Sequence, residues 1–192
     1  VFISFILFTL ININYSNSIE PDVFVQSTVN RASQVLSDNL SKDEKIEQLK
    51  IIAKETVDIK GIGFYTLGAK RKVLSNEEKK RYSELFEEYF LKSFSSRLAE
   101  YTNPEIEVTN KEKINKNYTI VNSVLKSTKE RPEINIDWRI YTKDPDNPLI
   151  RDLIIEGLSL ARTQKEEFAS VLSSNENNID ALFKVLKEFS QN

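Results

Sequence analysis

The sequence DLIIEGLSLARTQKEEF occupies residues 152–168 and predicts a strand that turns directly into a helix. Residues 153–155 are apolar and favour a strand, Gly157 supplies the freedom that a sharp turn needs, and Ser159 can cap the helix that follows. The apolar spacing changes there from a period of two to a period of about 3.6. This stretch therefore marks the boundary between a sheet and a final group of helices.

The residues before this boundary, 105–156, also show a period of two. Four segments alternate in this way, and their apolar positions are Ile106 and Val108, Tyr118 and Ile120, Ile134, Ile136, Trp138 and Ile140, and Leu153 and Ile155. The polar connections at residues 126–131 and 144–148 favour hairpins. The sequence thus predicts an antiparallel meander of about four strands with one apolar face.

Helical spacing dominates the first hundred residues. A helix is predicted from Pro21 to the polar residues 37–39, and Ser41 with Glu44 forms a capping box for a second helix. A second capping box, Ser75 with Glu78, precedes a long helix that Pro104 follows. Its apolar stripe, which is typical of a core face, consists of Tyr82, Leu85, Phe86, Tyr89, Phe90, Phe94, Leu98 and Tyr101.

Residues 57–68, VDIKGIGFYTLG, contain three of the four glycines, with Asp58 available as a helix cap. This segment fits a short buried helix whose glycines allow close packing, and it fits equally the lining of a ligand cavity. A last helix is predicted around Ile179 and Phe189. The predicted fold class is α+β, one domain in which helices wrap one face of a twisted, mostly antiparallel sheet.

Composition limits the possible chemistry. The chain has no cysteine and no histidine, which removes thiolate nucleophiles, imidazole bases and the usual zinc ligands, so no metal site or cofactor is predicted. Its 27 basic and 29 acidic residues form no block that would bind a phosphate backbone, so nucleic acid is not expected as a partner.

The N-terminal residues 1–11, VFISFILFTLI, form an apolar run of signal-peptide length. This run is well short of the roughly 20 residues that a bilayer-spanning helix needs. Ser16 and Ser18 suit cleavage before Ile19, so we predict a signal peptide at residues 1–18 and an exported domain at residues 19–192. A buried or membrane-anchoring helix is the alternative.

The opening stretch resembles the MlaC family, the toluene-tolerance-type periplasmic phospholipid-binding proteins of the Mla lipid-transport system. The likeness lies in the acidic Asp152, the apolar strand end, the turn Glu156-Gly157-Leu158-Ser159, and the helix start with Thr163, Lys165 and Phe168. Residues 57–68 with the aromatic helix, and Trp138-Arg139, resemble further parts of the family pattern. A tryptophan of that pattern is replaced by Pro148.

The resemblance implies a fold broadly like nuclear-transport-factor-2 domains, with an apolar cavity between sheet and helices that holds the acyl chains of a phospholipid. It also implies two partners in the periplasm, an inner-membrane ABC transporter with an MCE-domain component and an outer-membrane lipoprotein complex. The residues expected to contribute to the lipid-binding cavity, each of which could instead be plain core, are Phe64, Leu67, Tyr89, Phe90, Phe94, Ile136, Trp138, Ile140, Leu153 and Ile155.

Two other functional classes remain open from sequence. An exported interaction module with a filled core would have the same periodicity. An enzyme could use Asp58, Asp137 or Asp152 as a general base, although each of these residues also has an ordinary structural use as a helix cap, an exposed strand residue or a strand end.

Overall fold

A computed structural model describes residues 18–191, so the predicted signal peptide lies outside the described residues apart from Ser18. Within that range the elements are α1 (Pro21–Ser37), α2 (Lys42–Thr56), α3 (Ile59–Thr66), a 3₁₀ helix (Gly68–Lys72), α4 (Asn76–Leu98), β1 (Ile106–Asn115), β2 (Tyr118–Leu125), β3 (Ile134–Tyr141), β4 (Leu149–Ile155), β5 (Leu158–Ser159), α5 (Leu160–Ser173) and α6 (Ile179–Gln191). The predicted α+β class is confirmed. Across the described residues no helix is long and apolar enough to cross a membrane.

The strands form one antiparallel sheet in the order β1-β2-β3-β4-β5, so neighbours in sequence are neighbours in space. The sheet has one strand more than the predicted four because β5 folds back on Ile154 and Ile155. Glu156 and Gly157 both have positive φ, 48° and 80°, as a two-residue type I′ turn requires. The sequence predicted the glycine turn and the Ser159 cap, but not the two-residue strand between them.

The sheet buries one face against the helices. Along β2 every second residue is buried, and Val121 of this set lies opposite Trp138 of β3. The prediction of Tyr118 and Ile120 for the buried face is wrong, because these residues alternate with the buried set and are only half-buried. The alternate residues point away from the core, where the Asn122 amide donates to the Asp137 carboxylate at 2.7 Å. Helices α1, α3 and α5 pack on the strands, while α4 packs on α2, α3 and α6.

Serine capping boxes are present at the start of two helices, as the sequence predicts. The hydroxyl of Ser41 accepts from the Glu44 amide, and the Glu44 carboxylate accepts in return from the Ser41 amide at 2.8 Å. Ser75 and Glu78 repeat the arrangement at the start of α4. Each box satisfies amide groups that a helix start would otherwise leave without a partner.

These capping boxes predict a loss of stability in acid. The Ser41 hydroxyl lowers the pKa of Glu44, and the Ser75 amide lowers the pKa of Glu78, from an ordinary value of 4.5. A carboxylate with a lowered folded pKa stabilises the fold above its unfolded pKa, and that contribution is lost as pH falls through the folded pKa.

The double variant Glu44→Gln/Glu78→Gln should therefore show a weaker dependence of the unfolding free energy on pH as the pH falls below about 4.5 in urea titrations. Glu77→Gln, next to one box but outside it, is the control and should keep the parent slope. An unchanged slope in the double variant would contradict this assignment.

Candidate functional site

A cavity of about 230 Å³ lies between α4, α5 and the part of the sheet formed by β3 and β4. Most of its surface is apolar. Its lining consists of Val57, Ile62, Phe86, Tyr89, Phe90, Ser93, Phe94, Arg97, Trp138, Ile150, Asp152, Leu153, Leu160, Ala161, Thr163, Gln164 and Glu167.

Aromatic side chains of α4 form one wall. The rings of Phe90 and Phe94 stack with centroids 5.4 Å apart, and Phe86 lies 6.1 Å from Phe90. The spacing of three and four residues places these rings on one side of the helix. Phe90 and Phe94 are only partly buried, because the cavity leaves part of their surface without protein contact.

The sheet supplies the opposite wall through Trp138, Ile150 and Leu153. The indole N–H of Trp138 donates to the hydroxyl of Ser123 at 2.8 Å, and Ser123 donates to the carbonyl of Ile136 at 3.0 Å. Because its one polar atom is already satisfied, Trp138 offers the cavity an apolar ring.

Helix α3 closes one end of the cavity. A side chain at Gly63 would meet the ring of Phe86 at 2.7 Å, so this glycine permits a close approach of α3 to α4. Ile62, one residue earlier, lines the cavity. The glycine-rich segment is therefore a closely packed helix and also part of the cavity lining, so both features expected from its sequence are present.

Helix α5 forms a third wall that the sequence analysis missed. Leu160, Thr163, Gln164 and Glu167 recur at steps of three, one and three and line the cavity along one side of the helix. The same spacing is visible in the sequence. It carries mostly polar side chains, so the apolar pattern that led to the other predictions does not reveal it.

The structure brings together half of the residues predicted for the cavity. Those that line it are Tyr89, Phe90, Phe94, Trp138 and Leu153. Leu67, Ile136 and Ile140 are buried in the core, Phe64 packs on that core, and Ile155 lies beside the β4–β5 turn. Contact of any of these residues with a ligand stays a prediction.

The rim of the cavity is polar. The phenol of Tyr89 donates to the side-chain carbonyl of Gln164 at 2.8 Å, and the amide nitrogen of Gln164 donates to the carboxylate of Glu167 at 2.9 Å. Burial raises the pKa of Tyr89, and the negative charge of Glu167 raises it further. The phenol is therefore a neutral hydrogen-bond donor at ordinary pH. Arg97 completes the rim and is exposed.

The three aspartates considered as general bases have structural partners. Asp58 caps α3 through the Gly61 amide and accepts from Arg151 at 2.6 Å. Asp137 accepts from Asn122. Asp152 accepts from the Ser159 hydroxyl at 2.6 Å and from the Ala161 amide at 3.0 Å, which fixes the start of α5. Within residues 18–191 no three His, Cys, Asp or Glu side chains could hold a metal ion together.

Comparisons with known proteins agree with this architecture. The MlaC protein family model matches residues 26–188. A phospholipid-binding protein from Ralstonia solanacearum, solved in complex with a phospholipid, superposes with a TM-score of 0.76 and 17% sequence identity over 90% of this chain and 98% of that chain. A comparison with curated protein sequences finds no match. Since the family match covers most of the chain and the shared fold is independent of it, the chain belongs to the MlaC family.

Proposed function

We propose that this protein is a phospholipid carrier that holds acyl chains in the cavity between α4, α5 and the sheet. The observation that carries the proposal is the apolar cavity itself, in a fold shared with a protein that was solved with a phospholipid bound. An acyl chain costs about 0.8 kcal/mol for each CH₂ group exposed to water. A carrier must replace that water with apolar side chains, which Phe90, Phe94 and Leu153 can do.

The cavity is too small to hold a two-chain lipid without a movement of its walls. Its volume of about 230 Å³ is below the roughly 300–1,000 Å³ that is typical of small-molecule sites. Uptake of a two-chain lipid therefore requires α4 and α5 to move apart. The polar contact between these walls at the rim is the neutral Tyr89–Gln164 hydrogen bond, which is weaker than a buried ion pair and can open at modest cost.

Membership of the MlaC family also supports a wider role. In the proposal, residues 1–18 direct export to the periplasm, and residues 19–192 act as one phospholipid-binding domain. The carrier then shuttles lipid between an inner-membrane ABC transporter with an MCE-domain component and an outer-membrane lipoprotein complex. It performs no chemical step, and the hydrogen bonds that engage Asp58, Asp137 and Asp152 are consistent with this role.

The direct test is to produce the chain in a bacterial periplasm, purify it without detergent, and identify what organic solvent extracts from it by mass spectrometry. Phospholipid near one molecule per protein is expected. Protein that is folded, carries no lipid and takes up none from labelled vesicles would refute the proposal.

The lone tryptophan provides a second measurement that locates the acyl chains. Trp138 is the only tryptophan of the chain and lies in the cavity wall. After delipidation, uptake of phospholipid with brominated acyl chains should quench its fluorescence, whereas the same lipid without bromine should not. Uptake without quenching would place the acyl chains outside the proposed cavity.

A further inference from the structure

The rim of the cavity carries two opposite charges, Arg97 on α4 and Glu167 on α5. Neither side chain makes an ion pair of 4.0 Å or less with any residue in the described range 18–191. Both are exposed. The two side chains do not pair with each other. They are therefore available to a ligand that carries both a positive and a negative charge.

Tyr89 and Gln164 lie beside the two charges in the cavity lining. Both charges act on the phenol of Tyr89. Burial has the largest effect on its pKa, Glu167 raises that pKa further, and Arg97 lowers it. Gln164 joins this phenol to the Glu167 carboxylate through two hydrogen bonds. The Gln164–Glu167 bond lies within α5, so it holds Glu167 on one side of the opening even when the Tyr89–Gln164 bond opens, and the remaining lone pairs of Glu167 stay free to accept.

We propose that this pair recognises a zwitterionic headgroup, with Arg97 binding the phosphate and Glu167 binding the ammonium group of the same lipid. The inference rests on the proposed function, because the acyl chains must occupy the cavity below. A guanidinium matches phosphate oxygens with two parallel hydrogen bonds, and a carboxylate forms charge-assisted hydrogen bonds with an ammonium.

Charge also predicts which lipids bind less well. An anionic headgroup that lacks an amine satisfies Arg97 but brings no cation to Glu167. The phosphate of such a lipid then interacts unfavourably with that carboxylate, and the lipid has no cation of its own to offset the repulsion. The rim should therefore prefer phosphatidylethanolamine to phosphatidylglycerol when the acyl chains are identical.

The test loads the delipidated full chain from vesicles that contain equal amounts of phosphatidylethanolamine and phosphatidylglycerol with the same acyl chains. Mass spectrometry then measures the ratio of the two bound lipids. We expect an enrichment of about threefold in phosphatidylethanolamine, the size typical of an exposed charge pair. Glu167→Gln should remove the enrichment, Glu167→Lys should reverse it, and Arg97→Gln should weaken loading of both lipids.

Matched controls lie close by on α5. Glu166→Gln and Arg162→Gln make the same charge changes at exposed positions that do not line the cavity, and they should keep the parent ratio. If the parent and all variants bind lipid in the vesicle ratio, the headgroup inference is wrong while the carrier proposal stands. If the parent takes up no lipid at all, the carrier proposal itself fails and the inference fails with it.

Discussion

Phe90→Asp should abolish the retention of phospholipid. Phe90 lines the cavity and stacks on Phe94, so a carboxylate at this position would lie against the acyl chain. In the empty protein water can reach it, but a bound lipid would strip that water away. We expect a loss of about 3 kcal/mol in binding free energy, which corresponds to about a hundredfold in affinity.

The measurement is lipid extracted per protein after purification without detergent, followed by titration with labelled vesicles. Phe90→Leu keeps an apolar side chain and should retain lipid. Val73→Asp places the same charge on a side chain that is 75% exposed and outside the cavity, and it should also retain lipid. Circular dichroism must show folded protein in each case. A folded Phe90→Asp variant that still carries lipid would exclude Phe90 from the binding surface.

Asp152→Ala should cause the largest loss of stability among single polar substitutions. The Asp152 side chain is 2% exposed and accepts hydrogen bonds from Ser159 and from the Ala161 amide, so its removal leaves buried donors without partners. The expected cost is about 3 kcal/mol. For a domain of this size that corresponds to a Tm lower by about 6–12 °C.

Two controls separate the possible causes. Asp152→Asn keeps an acceptor for the Ala161 amide, so it should lower the free energy of unfolding less than Asp152→Ala does. Arg139→Gln removes the only ion-pair partner that Asp152 has among residues 18–191, but Arg139 is 43% exposed and 3.7 Å away, so a loss below about 1 kcal/mol is expected. If Arg139→Gln cost as much as Asp152→Ala, the ion pair rather than the helix start would be the stabilising contact.

Local patterns predicted the elements well because the forces that define them are local. A capping box needs only residues three apart, and both predicted boxes are present at Ser41 and Ser75. The period of two gave β3 with the correct face buried. In β2 the period was right but the face was wrong, because Tyr118 and Ile120 are only half-buried while their neighbours Thr119 and Val121 are buried. The short β5 escaped prediction because two residues carry no periodicity. The sequence predicted a turn at Gly157, but only the paired positive φ values of Glu156 and Gly157 identify it as a two-residue hairpin turn.

The cavity was harder to predict than the core. Ile140 and Phe90 look equally apolar in sequence, but Ile140 is fully buried whereas Phe90 faces the cavity. The difference depends on whether neighbouring elements fill the space beside a given side chain, and the sequence pattern of one helix or strand does not contain that information. An apolar residue type at a regular spacing therefore does not distinguish a core residue from one that can touch a ligand.

The sequence by itself determined the α+β class, the order of the elements, their caps and the family resemblance in residues 152–168, because each of these depends on residues close together in the chain. Only the tertiary structure decided which apolar residues line the cavity and that Arg97 and Glu167 both lie at its rim. These two residues lie on helices separated by the whole sheet in sequence. The gap between α4 and α5 depends on how side-chain volumes fit when the elements pack, and that fit exists only in the folded chain.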